Sequence, residues 1–77
     1  MRLYLTFNHK NVREPLIWKL AQEFAVVTNI RTAEVKEDMG LVGIELKGKT
    51  DVVEAAVAWL EQHGVHVEPI EQSVLEG

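Results

Sequence analysis

Leu3, Leu5 and Phe7 alternate with Arg2, Tyr4, Thr6 and Asn8 at the start of the chain. A period of two marks a half-buried strand with one apolar and one polar face. Asn8-His9-Lys10-Asn11 breaks the alternation and reads as a loop. Pro15 then suits the first turn of a helix, where its missing N–H is not needed. Leu16, Ile17, Leu20, Ala21 and Phe24 follow at helical spacing, with Lys19, Gln22 and Glu23 facing out. Extended structure restarts at Val26-Val27, and its apolar positions are Ile30, Ala33 and Val35. The step from Ile30 to Ala33 breaks parity, which predicts a bulge near Arg31-Thr32. Asp38-Met39-Gly40 is read as the turn of a hairpin, with Gly40 supplying a positive φ. Val42, Ile44 and Leu46 alternate with Gly43, Glu45 and Lys47 in the return strand.

A second helix is predicted from an N-cap at Thr50 or Asp51, where Asp51 and Glu54 have capping-box spacing. Val52, Val53, Ala56, Val57 and Leu60 point inward along it, and Gly64 fits the left-handed position past its end. Val65 and Val67 alternate with His66 and Glu68 in a last strand, which Pro69 ends or confines to an edge. The order is strand, helix, strand, strand, helix, strand. Right-handed crossovers around a central hairpin turn that order into an α+β, ferredoxin-like βαββαβ sandwich: a four-stranded antiparallel sheet with both helices on one face. Residues 1–70 form this domain, and 71–77 read as a short C-terminal tail. The sheet's other face, with Tyr4, Thr6, Glu45, Lys47, His66 and Glu68, is left for function.

The chain has 77 residues, 47% of them hydrophobic and 26% charged, which fits one folded domain and no second core. A domain this short buries only about 60% of its unfolded surface, and partners or ligands often stabilise such domains. The net charge of -4, from 8 basic and 12 acidic side chains, argues against a nucleic-acid partner, since no basic stripe is present. No cysteine is present, which excludes disulfides, iron–sulfur ligation and thiol chemistry. No apolar run approaches the ~20 residues of a membrane span, and the first residues turn polar too early for a signal sequence, so a cytoplasmic protein without membrane insertion is expected.

Several local patterns together resemble the NIL domain family. They are Pro15-Leu16-Ile17 before Leu20 and Phe24, Thr28-Asn29-Ile30 followed by Ala33, Leu46-Lys47-Gly48 after Gly40, and Ala55-Ala56-Val57-Ala58-Trp59-Leu60 leading into His63-Gly64-Val65-His66-Val67-Glu68. The family forms the C-terminal regulatory module of methionine ABC importer ATPase subunits, and also occurs alone and fused to ferredoxin modules. The resemblance implies a ferredoxin-like domain that forms a homodimer and binds methionine or a similar amino acid. Its ligand pocket involves the Asn of an Asn-Ile pair, which puts Asn29 and Ile30 in the candidate site. Arg31 joins them, standing where the family name has Leu. The alternative is a ligand-independent interaction module for a protein partner in sulfur or methionine metabolism or transport.

The same residues have plainer readings. Asn29 is either a ligand amide, offering donor and acceptor, or a cap for the local backbone. Arg31 either clamps a ligand carboxylate or pairs with Glu45 on the surface. His63, His66 and His9 are not expected to converge on a metal, and no cofactor is expected. Trp18 and Trp59 are read as covering the edge of the helix pair, with a subunit contact as the other option. No nucleophile–base set or carboxylate pair points to catalysis. Gly48-Lys49-Thr50 has the ending of a phosphate-binding loop but is taken as a coincidence, so nucleotide hydrolysis is not expected.

Overall fold

The computed structural model describes residues 1–70; the expected tail at 71–77 lies outside them. The strands are β1 (Arg2–Phe7), β2 (Val27–Lys36), β3 (Met39–Lys47) and β4 (His66–Pro69), and the helices are α1 (Leu16–Glu23) and α2 (Thr50–Gln62). They form one antiparallel sheet in the order β2-β3-β1-β4. This is the α+β ferredoxin-like arrangement that the order of elements predicts.

The core forms where the two periodicities meet. β1 contributes Leu3, Leu5 and Phe7, and β3 contributes Val42, Ile44 and Leu46. Leu16 and Leu20 of α1 and Val53, Ala56 and Leu60 of α2 close over them, together with Val65. β1 lies between β3 and β4, with Leu5 opposite Val42 on one side and Val67 on the other. Fully burying each large aliphatic side chain stabilises the fold by about 1.5–3 kcal/mol, so the two central strands and two helix stripes carry most of the stability.

Local chemistry fixes the joints. Asn8 and Asn11 bond reciprocally across the loop after β1: the Asn11 Oδ1 accepts from the Asn8 N–H at 2.7 Å, and the Asn8 Oδ1 accepts from the Asn11 N–H at 3.0 Å. A 3-10 turn at Asn11–Arg13 follows, which periodicity does not reveal. Asn11 is buried, and its Nδ2 donates to the His63 carbonyl at 3.4 Å, tying this loop to the end of α2. There Gly64 has φ +86°, its N–H bonds the Glu61 carbonyl and the Val65 N–H bonds the Leu60 carbonyl. These are the paired bonds of a left-handed helix stop.

Three local expectations are corrected. The hairpin turn is Glu37-Asp38, between Lys36 and its partner Met39, and Gly40 is buried inside β3 without a positive φ. Gly40 is small for another reason: a Cβ there would lie 3.2 Å from Val12 Cγ2. Helix α2 starts at Thr50 with Lys49 as its unbonded cap, so Asp51 lies within the first turn, where its carboxylate meets the positive end of the helix dipole. Pro15 and Phe24 flank α1 and are not part of it.

Leu60→Ala is expected to lower stability by about 2–5 kcal/mol. Gly64→Ala is expected to cost about 1–2 kcal/mol because alanine must adopt the left-handed region. Urea unfolding followed by far-UV circular dichroism measures both, and an unchanged midpoint for Gly64→Ala would refute the role given to that stop.

Candidate functional site

With β1 and β3 facing their apolar residues toward the helices, pairing fixes what stands on the uncovered face. Tyr4 lies between Gly43 of β3 and Glu68 of β4, and Thr6 between Leu41 and His66. On β2, the partners run Asn29 with Glu45, Ile30 with Ile44, Thr32 with Gly43 and Ala33 with Val42, so Arg31 is the extra residue of a bulge. The predicted parity break is therefore real. Its effect is to keep Ile30, Ala33 and Val35 on the helix side while Asn29, Thr32 and Glu34 share the uncovered face.

Two of the three predicted site residues come together there. Asn29 faces Glu45 across the sheet, and Arg31 Nη1 lies 3.9 Å from Glu45 Oε1. The guanidinium is about half exposed, at 48%, and an ion pair of this kind adds only roughly 0–1 kcal/mol. Arg2 stands opposite Glu45 from the β1 side, and its Nε is buried without a hydrogen-bond partner. One carboxylate thus sits among two guanidinium groups and an amide. Ile30 points to the other side of the sheet, where it is 52% exposed.

The concavity of this face lies one row beyond Asn29. It is an open groove of about 620 Å³ with Gly43 among its lining residues, together with Tyr4, Thr6, Thr32, Leu41 and Glu68. Gly43 is required: a Cβ would meet Thr32 Oγ1 at 2.7 Å and Tyr4 Cε1 at 3.4 Å. The bulge presses Thr32 over the glycine, and Tyr4 and Leu41 give the groove its apolar surface. Sequence reasoning did not find this groove, because its walls come from all four strands. The usable signal was the parity break followed by a glycine in the facing strand.

The other candidates are resolved locally. Trp59 packs edge-on against Phe24, with ring centroids 6.2 Å apart, and lies 4.0 Å from the His63 ring. The His63 Nδ1–H donates to the Trp59 carbonyl at 2.8 Å, while His66 stands beside Thr6 on the uncovered face. Among the described residues no group of three or more His, Asp or Glu is placed to hold a metal, and no helix is long and apolar enough to cross a membrane. Trp18 does not cover a core edge; it is 62% exposed.

The phosphate-loop reading needs a correction. Gly43 stands five positions before Gly48, so Gly43-Ile44-Glu45-Leu46-Lys47-Gly48-Lys49-Thr50 spells the full spacing, not only its ending. The backbone does not build the loop. Gly43 through Lys47 are extended in β3, paired on both sides at Gly43, and neither Gly43 nor Gly48 has a positive φ. A phosphate cradle needs those residues free to wrap an anion between strand and helix.

Sheet order, helix placement and a polar uncovered face define a small α+β domain of the ferredoxin-like class. The chain belongs to the NIL domain family, whose model matches residues 1–69. It is 34% identical over 70 residues to the methionine import ATP-binding protein MetN of Escherichia coli K12, and equally to that of Shigella flexneri. The match covers 86% of this chain and 20% of the relative, so the chain spans about a fifth of the length of these proteins. The C-terminal domain of an ABC transporter ATP-binding protein from Enterococcus faecalis superposes with a TM-score of 0.80 at 25% identity, covering 94% of this chain and 84% of that one.

Gly43→Ala is expected to destabilise the domain by about 1–3 kcal/mol by overpacking against Thr32. Adding Thr32→Ala should return most of that loss, a coupling between neighbours that a double-mutant cycle on thermal unfolding would read. Additive effects would show that the two residues do not press on each other.

Proposed function

We propose that the chain is an amino-acid-sensing regulatory domain that works as a homodimer, with methionine the first ligand to test. The observation that carries this reading is the pairing of Asn29 and Arg31 beside a groove on the uncovered sheet face. An amide offers both donor and acceptor, and a loosely held guanidinium can leave Glu45 for a ligand carboxylate, which it would bind bidentately. Tyr4 and Leu41 offer apolar contact one row further on, suited to a thioether side chain. Membership of the NIL family and likeness to methionine import ATP-binding proteins support methionine over other amino acids. Ile30 faces the other way and would serve this site through packing of β2 and not by touching the same ligand.

On this reading residues 1–70 are the working unit, a binding module without catalytic activity of its own, acting in the cytoplasm alongside a transporter or a related protein. Exposure of Trp18 and Val35, at 62% and 68%, favours a second reading, an adaptor that docks a protein partner without any ligand.

Isothermal titration with methionine separates the two. Saturable binding is expected, with Asn29→Ala and Arg31→Ala each weakening it about tenfold or more, in line with loss of a charge-assisted or buried hydrogen bond. Silence at about millimolar methionine, a concentration at which even weak sites with roughly −4 kcal/mol of binding free energy fill, would reject the sensor and leave the adaptor.

A further inference from the structure

The two edges of the sheet are built differently. β4 is four residues long and ends in Pro69, which has no N–H to offer an additional strand. β2 is ten residues long, contains no proline, and is exposed from Asn29 through Lys36 on both of its faces. Its helix side is uncovered although it is apolar: Ile30 is 52% and Val35 68% exposed. A strand of this kind is a template for pairing unless its charges repel a newcomer. Here the charges have both signs, and their positions are complementary.

Two copies of one strand pair antiparallel about a two-fold axis through a single residue position, so positions equally far before and after that residue face each other. Arg31 and Thr32 count as one step, because Ile30 and Thr32 face consecutive residues of β3, Ile44 and Gly43. With the axis at Ala33, the Arg31-Thr32 step faces Glu34 of the second copy, Ile30 faces its Val35, and Asn29 faces its Lys36. Each contact occurs twice. Every apolar residue of the helix side then meets an apolar residue, every charge meets an opposite charge or an amide, and alanine occupies the crowded position on the axis. Moving the axis to the bulge would set Val27 against Lys36 and Thr28 against Val35, losing both kinds of match.

We infer that β2 is the homodimer edge, pairing with β2 of a second copy about Ala33 to make one eight-stranded sheet. This rests on the homodimer reading above and adds its location and register. It also makes the ligand site composite, since Lys36 of the second copy arrives beside Asn29 and adds a cation for a ligand carboxylate. Edge pairing of this length lies at the small end of specific interfaces, so a dissociation constant in the roughly micromolar range is expected.

Analytical ultracentrifugation of the ligand-free chain across about 1–500 µM, a span chosen around that range, tests it. Glu34→Arg and Arg31→Glu each replace two opposite-charge contacts by two like-charge ones, and each should raise the dissociation constant about tenfold or more. An equimolar mixture of the two variants should dimerise again. In the mixed pair the unaltered Arg31 of one copy faces the unaltered Glu34 of the other, and the two introduced side chains, opposite in charge, face each other. The double variant R31E/E34R should dimerise for the same reason. Unchanged thermal unfolding of the single variants, whose altered side chains are exposed, confirms that folding is not what was lost. If the wild type dimerises and the single variants dimerise equally well, or the mixture fails to recover, the edge is wrong while the homodimer reading stands. If the wild type remains monomeric throughout, the homodimer reading falls as well.

Discussion

Helix α1 has only eight residues, and the layer it forms with the thirteen-residue α2 is too narrow to roof four strands. It closes over β1, β3 and the residue that leads into β4, and leaves most of β2 bare. The apolar residues of the central strands are buried, whereas those on the same side of β2 remain open to solvent. The molecule therefore consists of a well-packed centre and a long outer strand held by its ladder to β3. The candidate binding chemistry has gathered where the packing is thinnest, since residues released from core duty are free to meet something else.

Most of this architecture was legible in the residues because it depends on periodicity. Leu3-Leu5-Phe7 and Val42-Ile44-Leu46 have a period of two and are buried; Leu16-Leu20 and Val53-Ala56-Leu60 have a helical period and are buried against them. The bulge at Arg31 was legible for the same reason, as a slip in parity. What failed were decisions at element ends. Gly40 looked like a turn residue, but two residues at Glu37-Asp38 suffice, and the glycine answers instead to Val12, which is distant in sequence. Asp51 has capping spacing to Glu54, yet the helix begins one residue earlier, because strand pairing holds the chain to Lys47 and leaves two residues to turn.

The candidate site divides along the same line. The pairing of Arg31 with Glu45 follows from which residues share a face of adjacent strands, and was among the alternatives the residues offered. The groove over Gly43 was not legible, since Tyr4, Thr32, Gly43 and Glu68 come from four strands and meet only after the sheet is assembled. The phosphate-loop spelling from Gly43 to Thr50 makes the converse point. Letters at the right spacing carry no chemistry when the sheet claims five of the eight residues as strand.

Because the ladder steps from Ile30 directly to Thr32, Arg31 is supernumerary to the pairing. A chain lacking it would keep Thr32 opposite Gly43 and every later residue on its present face, with only a straighter strand and one guanidinium fewer. Forcing Arg31 into the ladder would do the reverse, turning Thr32 and Glu34 toward the helices and bringing Ala33 and Val35 onto the groove side. The bulge thus uncouples the length of the strand from the phase of its side chains. A lineage could add or discard a residue at this joint, and with it a charge beside Glu45, without shifting a single core contact.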